Sequence, residues 1–257
     1  MKYATDAENS APIFISHTPG IKVSQSRFLP GNPVSPEGAD YCSHYLLDNP
    51  GRHAKFIGKA GWLVTNEYQD GNLELVSFTS SFELGTSGIC FAKDGNIALF
   101  NDGNLAAIAY SVKGADLVLG SISLISGKSG EYYINDGNGP YAPLAKLTVN
   151  DGIAEIMPLP EQESYCSDEA IVPNIYGKKI TDGRNALLKA GWKPLGDKDG
   201  GAEHLLRLGI SEVESCSGTG YGFCRYSYGK GDMTLWMTSV GEEYNIVSQS
   251  VNCGAGE

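Results

Sequence analysis

The chain has 257 residues, 41% of them hydrophobic and 19% charged, with a formal net charge of −11. That composition belongs to a folded protein with one large core or two ordinary ones, and excludes a disordered chain. No apolar run approaches the roughly 18 residues that span a bilayer, and the acidic balance disfavours nucleic acid and anionic membrane as partners.

Residues 1–40 are rich in Ser, Pro, Gly and Asn; 13–15 suit an edge strand and the rest reads as an extended arm. A short helix follows, with Asn49 as N-cap, Pro50 at the first helical position and Gly61 as the stop. Five of the chain's seven Asp-Gly dipeptides then fall in one stretch, at Asp70, Asp94, Asp102, Asp136 and Asp151. Asp-Gly readily takes the positive φ at both central positions of a type I′ turn, which closes a two-residue β-hairpin. Between these turns, strands are expected at 62–68, 73–78, 89–92, 97–100, 105–110, 117–119, 121–125, 132–134, 144–149 and 153–157. So many short antiparallel strands predict a sandwich, a barrel or a small propeller over residues 1–160.

The stretch 158–164, with Pro158 and Pro160, reads as a linker, and the pattern changes beyond it. Helices are expected from Thr181 to Gly191 and from Glu203 to Gly209, followed by strands around Val213, Tyr226, 233–238 and 246–248. Residues 161–257 therefore form a smaller α+β domain. An echo links the halves: Gly51-Arg52 leads to Lys59-Ala60-Gly61-Trp62, and Gly183-Arg184 leads to Lys189-Ala190-Gly191-Trp192. The segment from Val172-Pro173-Asn174-Ile175-Tyr176-Gly177 to Ala190-Gly191-Trp192, about 21 residues, resembles the first half of a PASTA repeat. The resemblance implies an address on the outer side of a bacterial membrane and recognition of cell-wall material. The chain departs from that family where a second helix and a Cys216–Cys224 hairpin replace its strand pair.

Six cysteines occur, none in a Cys-x-x-Cys pair, which points to disulfides and an oxidising compartment rather than to zinc. Cys216 and Cys224 flank a glycine-rich turn, so a cross-strand bridge is expected between them; Cys42–Cys90 and Cys166–Cys253 complete the pairing, one bridge before the linker and two after it. Met1-Lys2 precedes a polar stretch with no apolar signal core, and with the disulfides this reads as an exported chain, periplasmic or secreted, whose leader has been trimmed.

Nucleophile elbow, P-loop and His-Glu-x-x-His signatures are missing, and Gly218-Thr219-Gly220-Tyr221-Gly222 lies between strands rather than opening a helix, unlike a dinucleotide loop. The expectation is a binding protein without cofactor rather than an enzyme, with a hydrolase lacking a readable motif as a third reading. Asn135, Asp136 and Asn138 offer calcium-type oxygens at alternate positions, but no bidentate Glu follows. From Trp62 to Glu169 there are 15 acids against 4 lysines, a net of −11. Such a field steers a basic partner toward the chain. Tyr132, Tyr133, Asp136 and Tyr141 surround one hairpin tip and are the expected partner-binding residues, because tyrosine buries a large ring with few rotatable bonds. Adjacent Tyr132 and Tyr133 point to opposite faces of a strand, so at most one of them is core. The sequence thus describes an envelope binding protein, an inhibitor or immunity-type protein that neutralises a basic wall-directed enzyme, or alternatively a peptidoglycan- or glycan-binding module.

Overall fold

The computed structural model describes residues 13–31, 37–125, 127–140, 142–196, 203–217 and 220–254. Contacts divide the chain into two compact units, Met1–Leu159 and Pro160–Glu257.

The first unit holds β1 (Phe14–Ser16), β2 (Ile21–Ser24), α1 (Arg52–Lys59), β3 (Leu63–Asp70), β4 (Leu73–Thr79), β5 (Ser81–Leu84), β6 (Cys90–Lys93), β7 (Asn96–Asn101), β8 (Asn104–Ser111), β9 (Leu119–Leu124), β10 (Glu131–Asp136), β11 (Pro143–Asn150) and β12 (Ile153–Pro158). One five-stranded sheet runs β2-β8-β7-β4-β3 and the other β1-β12-β11-β10-β9, antiparallel except for the β1–β12 pair. The expected alternatives resolve into a sandwich with no closed barrel. Leu73, Leu75, Ile97 and Leu99 of one sheet and Ile122, Ile134, Leu147 and Ile156 of the other share a single core, and each such side chain contributes about 1.5–3 kcal/mol by leaving water. The β4 and β7 strands are buried on both faces, because Val76, Phe78, Ala98 and Phe100 pack outward under Ala54 and Ile57 of α1.

Two differences from the sequence expectation have simple causes. Residues 21–24, read as part of an extended arm, form β2, a four-residue edge strand too short to show a period but held by backbone pairing to β8. Helix α1 begins two residues later than Asn49 and Pro50 suggested: Gly51 is the N-cap and its N–H donates to Glu67 Oε1 at 2.7 Å, a partner supplied by β3 rather than by the helix.

The second unit holds β13 (Gln162–Tyr165), β14 (Ala170–Pro173), α2 (Ile180–Lys189), β15 (Lys193–Pro194), α3 (Glu203–Arg207), β16 (Val213–Cys216), β17 (Cys224–Lys230), β18 (Met233–Val240) and β19 (Asn245–Asn252). The expected linker is shorter than 158–164, since Gln162–Tyr165 already pairs with β14 and Glu163 is buried. Thr181 lies within the first turn of α2 instead of capping it; Lys179 is the N-cap, and the Ile180 N–H donates to the Tyr244 carbonyl. The main sheet runs β15-β17-β18-β19, with β16 also pairing to β17. Trp192, Tyr226, Tyr228, Leu235 and Met237 fill the core under α2. The Ala-Gly-Trp echo is structural: Gly61 (φ +92°) and Gly191 (φ +86°) end their helices in the left-handed region, and Trp62 and Trp192 are both buried. Disulfides join Cys42 to Cys90, Cys166 to Cys253 and Cys216 to Cys224, the pairing expected from the sequence.

Candidate functional site

Of the residues expected to bind a partner, Tyr132, Tyr133 and Asp136 are described, and they do not gather at one hairpin tip. Tyr132 is the second residue of β10 and Asp136 the last, so about 13 Å of strand separates them. Tyr132 is a core residue, 3% exposed; Tyr133, one position on, takes the other face and is partly exposed. Tyr141 lies outside the described residues.

The Asn135–Gly139 turn is not a protruding tip either. The Gly137 N–H donates to the Val118 carbonyl and its own carbonyl accepts from Ala92 N–H, which wedges the turn against β6 and the entry to β9. A Cβ on Gly120 would stand 2.7 Å from the Gly137 Cα, so the Asp136-Gly137 pair serves a backbone approach rather than a two-residue hairpin. Asp136 Oδ1 accepts from the N–H groups of Val118 (3.3 Å) and Asn138 (2.9 Å), while burial pushes its carboxyl upward. The Asn135 amide donates to Ser121 and Ser123. Asp136 Oδ1 and the Asn135 amide nitrogen are therefore committed to the fold. Among the described residues no group of three or more His, Cys, Asp or Glu side chains is placed to hold a metal ion, and no helix is long and apolar enough to cross a membrane.

The strand order builds a different surface at the opposite end of the sandwich. Strands β3, β7, β9 and β11 all run toward that end, so the Gly71–Asn72, Asp102–Gly103 and Asp151–Gly152 turns and the β9–β10 loop gather there. Asp102 and Gly103 (φ +48° and +79°) and Asp151 and Gly152 (+50° and +77°) take the type I′ form; at the first turn only Gly71 has positive φ, with Asn72 completing a type II′ turn. Asp102 and Asp151 are exposed. Among the ends 70–72, 101–104, 127–131 and 150–153 there are four acids and one lysine.

Between the β3–β4 turn and the β9–β10 loop lies a groove of ≈ 580 Å³. Tyr68 and Tyr132 form its floor, their rings 5.1 Å apart and tilted. The Tyr132 hydroxyl donates to Asp70 Oδ2 at 3.4 Å, and burial followed by the Asp70 charge pushes this phenol up to about 12. Gly130 (φ +70°) permits the approach, since a Cβ there would meet Asp70 Oδ2 at 3.2 Å and the Val149 carbonyl at 2.8 Å. Exposed Leu124 and half-buried Lys128 complete the walls; Lys128 stands 3.8 Å from Glu131, which Lys146 holds at 2.6 Å. His53 fixes the neighbouring turn to α1: Nδ1 lies 2.6 Å from Glu74 and Nε2 3.1 Å from the Gly103 carbonyl, with the ring stacked on Phe100. This end can present carboxylates and an aromatic-floored recess on rigid hairpins. No family model, no curated protein and no solved structure matches the chain.

Proposed function

We propose that the protein is an exported envelope binding protein, periplasmic or secreted, that takes up a basic protein partner at the Asp-Gly end of its sandwich, in the manner of an inhibitor or immunity-type protein of a wall-directed enzyme. The observation that carries this reading is the collection of Asp70, Asp102 and Asp151 at one end of the fold, beside a groove floored by Tyr68 and Tyr132. Carboxylates on two-residue turns lose little entropy on docking, and opposite fields accelerate encounter with a cationic surface. Three disulfides fit an oxidising compartment. The test is to pass basic wall-lytic enzymes over the immobilised full chain. Retention at low salt, release as salt rises and reduced lytic activity in the complex are expected. A chain that retains none of them, or that itself cleaves wall material, overturns the reading.

A further inference from the structure

The sheet of the second unit buries one face beneath α2 and leaves the other open. Register places the open face in a three-by-three grid: Arg225, Thr238 and Ser248 in one row, Ser227, Trp236 and Ser250 in the next, and Gly229, Thr234 and Asn252 in the third. Trp236 stands at the centre and is partly exposed; Arg225, Ser248, Ser250 and Asn252 are exposed, while Ser227 is buried. The third row has no bulk at Gly229 because Leu195, 49% exposed, occupies the space a side chain would take; its Cδ2 would lie 2.9 Å from a Cβ there.

Most polar groups of this face are uncommitted, although Asn252 Oδ1 accepts from the Gly254 N–H at 2.8 Å. The Trp236 indole N–H and the hydroxyls of Thr234, Thr238, Ser248 and Ser250 have no hydrogen-bond partner among the described residues, although none is buried. The Arg225 guanidinium lies over the Trp236 ring, 5.3 Å from its centre, and its Nε pairs with Glu214 (3.1 Å), which leaves its terminal N–H groups for a further acceptor. No grid position carries a carboxylate, in a chain whose net charge is −11.

We propose that this face binds a saccharide bearing a carboxylate. A pyranose ring offers a C–H face that lies flat on an indole, and its hydroxyls require neighbours that both donate and accept, as Ser and Thr do. A protein partner would need a wider apolar centre than Trp236 and Leu195 supply. The charge pattern selects the acidic sugar: no grid position is acidic on an acidic chain, and the guanidinium, whose Nε pairs with Glu214 at the edge of the face, keeps terminal donors that match a carboxylate. The inference does not depend on the basic partner proposed for the first unit.

Trp62 and Trp192 are buried, so tryptophan emission of the full chain reports Trp236 when a ligand covers it. Millimolar titration with N-acetylmuramic acid and with N-acetylglucosamine, which lacks the carboxylate, should shift the emission and show the acidic sugar binding about tenfold tighter, equivalent to roughly 1.4 kcal/mol. By calorimetry, Trp236→Ala should abolish binding and Arg225→Gln should erase the preference, both with unchanged thermal melting. Absence of binding by either sugar, equal binding of the two, or binding that survives Trp236→Ala overturns the proposal.

Discussion

Tyr132 and Asp70 meet across the two sheets, the phenol hydroxyl 3.4 Å from the carboxylate, at the end of the sandwich where the acidic turns collect. The contact gives the fold a pH signature. A tyrosine ionises near 10 in an unfolded chain, and burial with the Asp70 charge moves Tyr132 to about 12; burial, the larger cause, also moves Tyr226 to about 12, in the second unit. A raised phenol favours the protonated state when folded, so its stability contribution is complete below pH 10 and is lost as pH rises from about 10 through 12. Urea midpoints should be flat on this account below pH 10 and fall above it, and Tyr132→Phe should reduce that fall. Equal slopes in the variant and the parent chain would remove Tyr132 from the account.

Inside the second unit, the buried Glu212 Oε1 lies 2.7 Å from Arg184 Nε and accepts the Tyr228 hydroxyl at 2.6 Å. Removing the cation alone leaves a buried, uncompensated charge. Arg184→Met should cost about 3–5 kcal/mol, and Arg184→Met with Glu212→Gln should recover much of it. The exposed Lys179–Glu243 pair should give no resolvable change in the same denaturation experiment. A double variant no more stable than Arg184→Met would show that packing, not charge, sets the cost.

Reduction of the bridges should rank by the loop each closes. Chain-entropy arguments give about 2.5 kcal/mol for Cys216–Cys224, which spans 8 residues, and about 4.1 and 4.6 kcal/mol for Cys42–Cys90 and Cys166–Cys253, which span 48 and 87. Paired Cys→Ser variants melted under identical conditions measure the order. A Cys216–Cys224 loss as large as the other two would contradict it.

Glycines separate packing from turn geometry. A Cβ at Gly95 would lie 1.8 Å from the Leu119 carbonyl oxygen, whereas one at Gly139 would meet nothing within 4 Å. Gly95→Ala should destabilise by about 1–3 kcal/mol and Gly139→Ala should stay within roughly 0.5 kcal/mol. Comparable losses at both sites would refute the close approach of β9 to the β6–β7 connection.

Local chemistry made part of this molecule legible in the sequence. Asp102-Gly103 and Asp151-Gly152 form the turns their dipeptides favour, Cys216 faces Cys224 across a hairpin, and of Tyr132 and Tyr133 only one is core. Strand order was not legible, because a meander of similar hairpins does not state which tips share an end. For that reason the Asn135–Gly139 turn stood out while Asp70, Tyr68 and the β9–β10 loop did not. Asp136-Gly137 carries the same letters as the other turns, yet Gly137 is spent on contact with Gly120, a relationship between residues 17 apart that no local pattern encodes. The grid around Trp236 was hidden similarly: alternation marked the strands, but the register that centres Trp236 among hydroxyls is set by pairing.

The central claim is that a basic partner docks at the Asp-Gly end of the sandwich. The most direct measurement compares association rates with a basic wall-lytic enzyme at low salt for two charge-matched double variants. Asp102→Asn with Asp151→Asn neutralises that end, and Asp94→Asn with Asp116→Asn neutralises the opposite one. The account predicts several-fold slower association for the first pair only, with the difference vanishing as salt rises. Equal slowing by both pairs, or by neither, would contradict it.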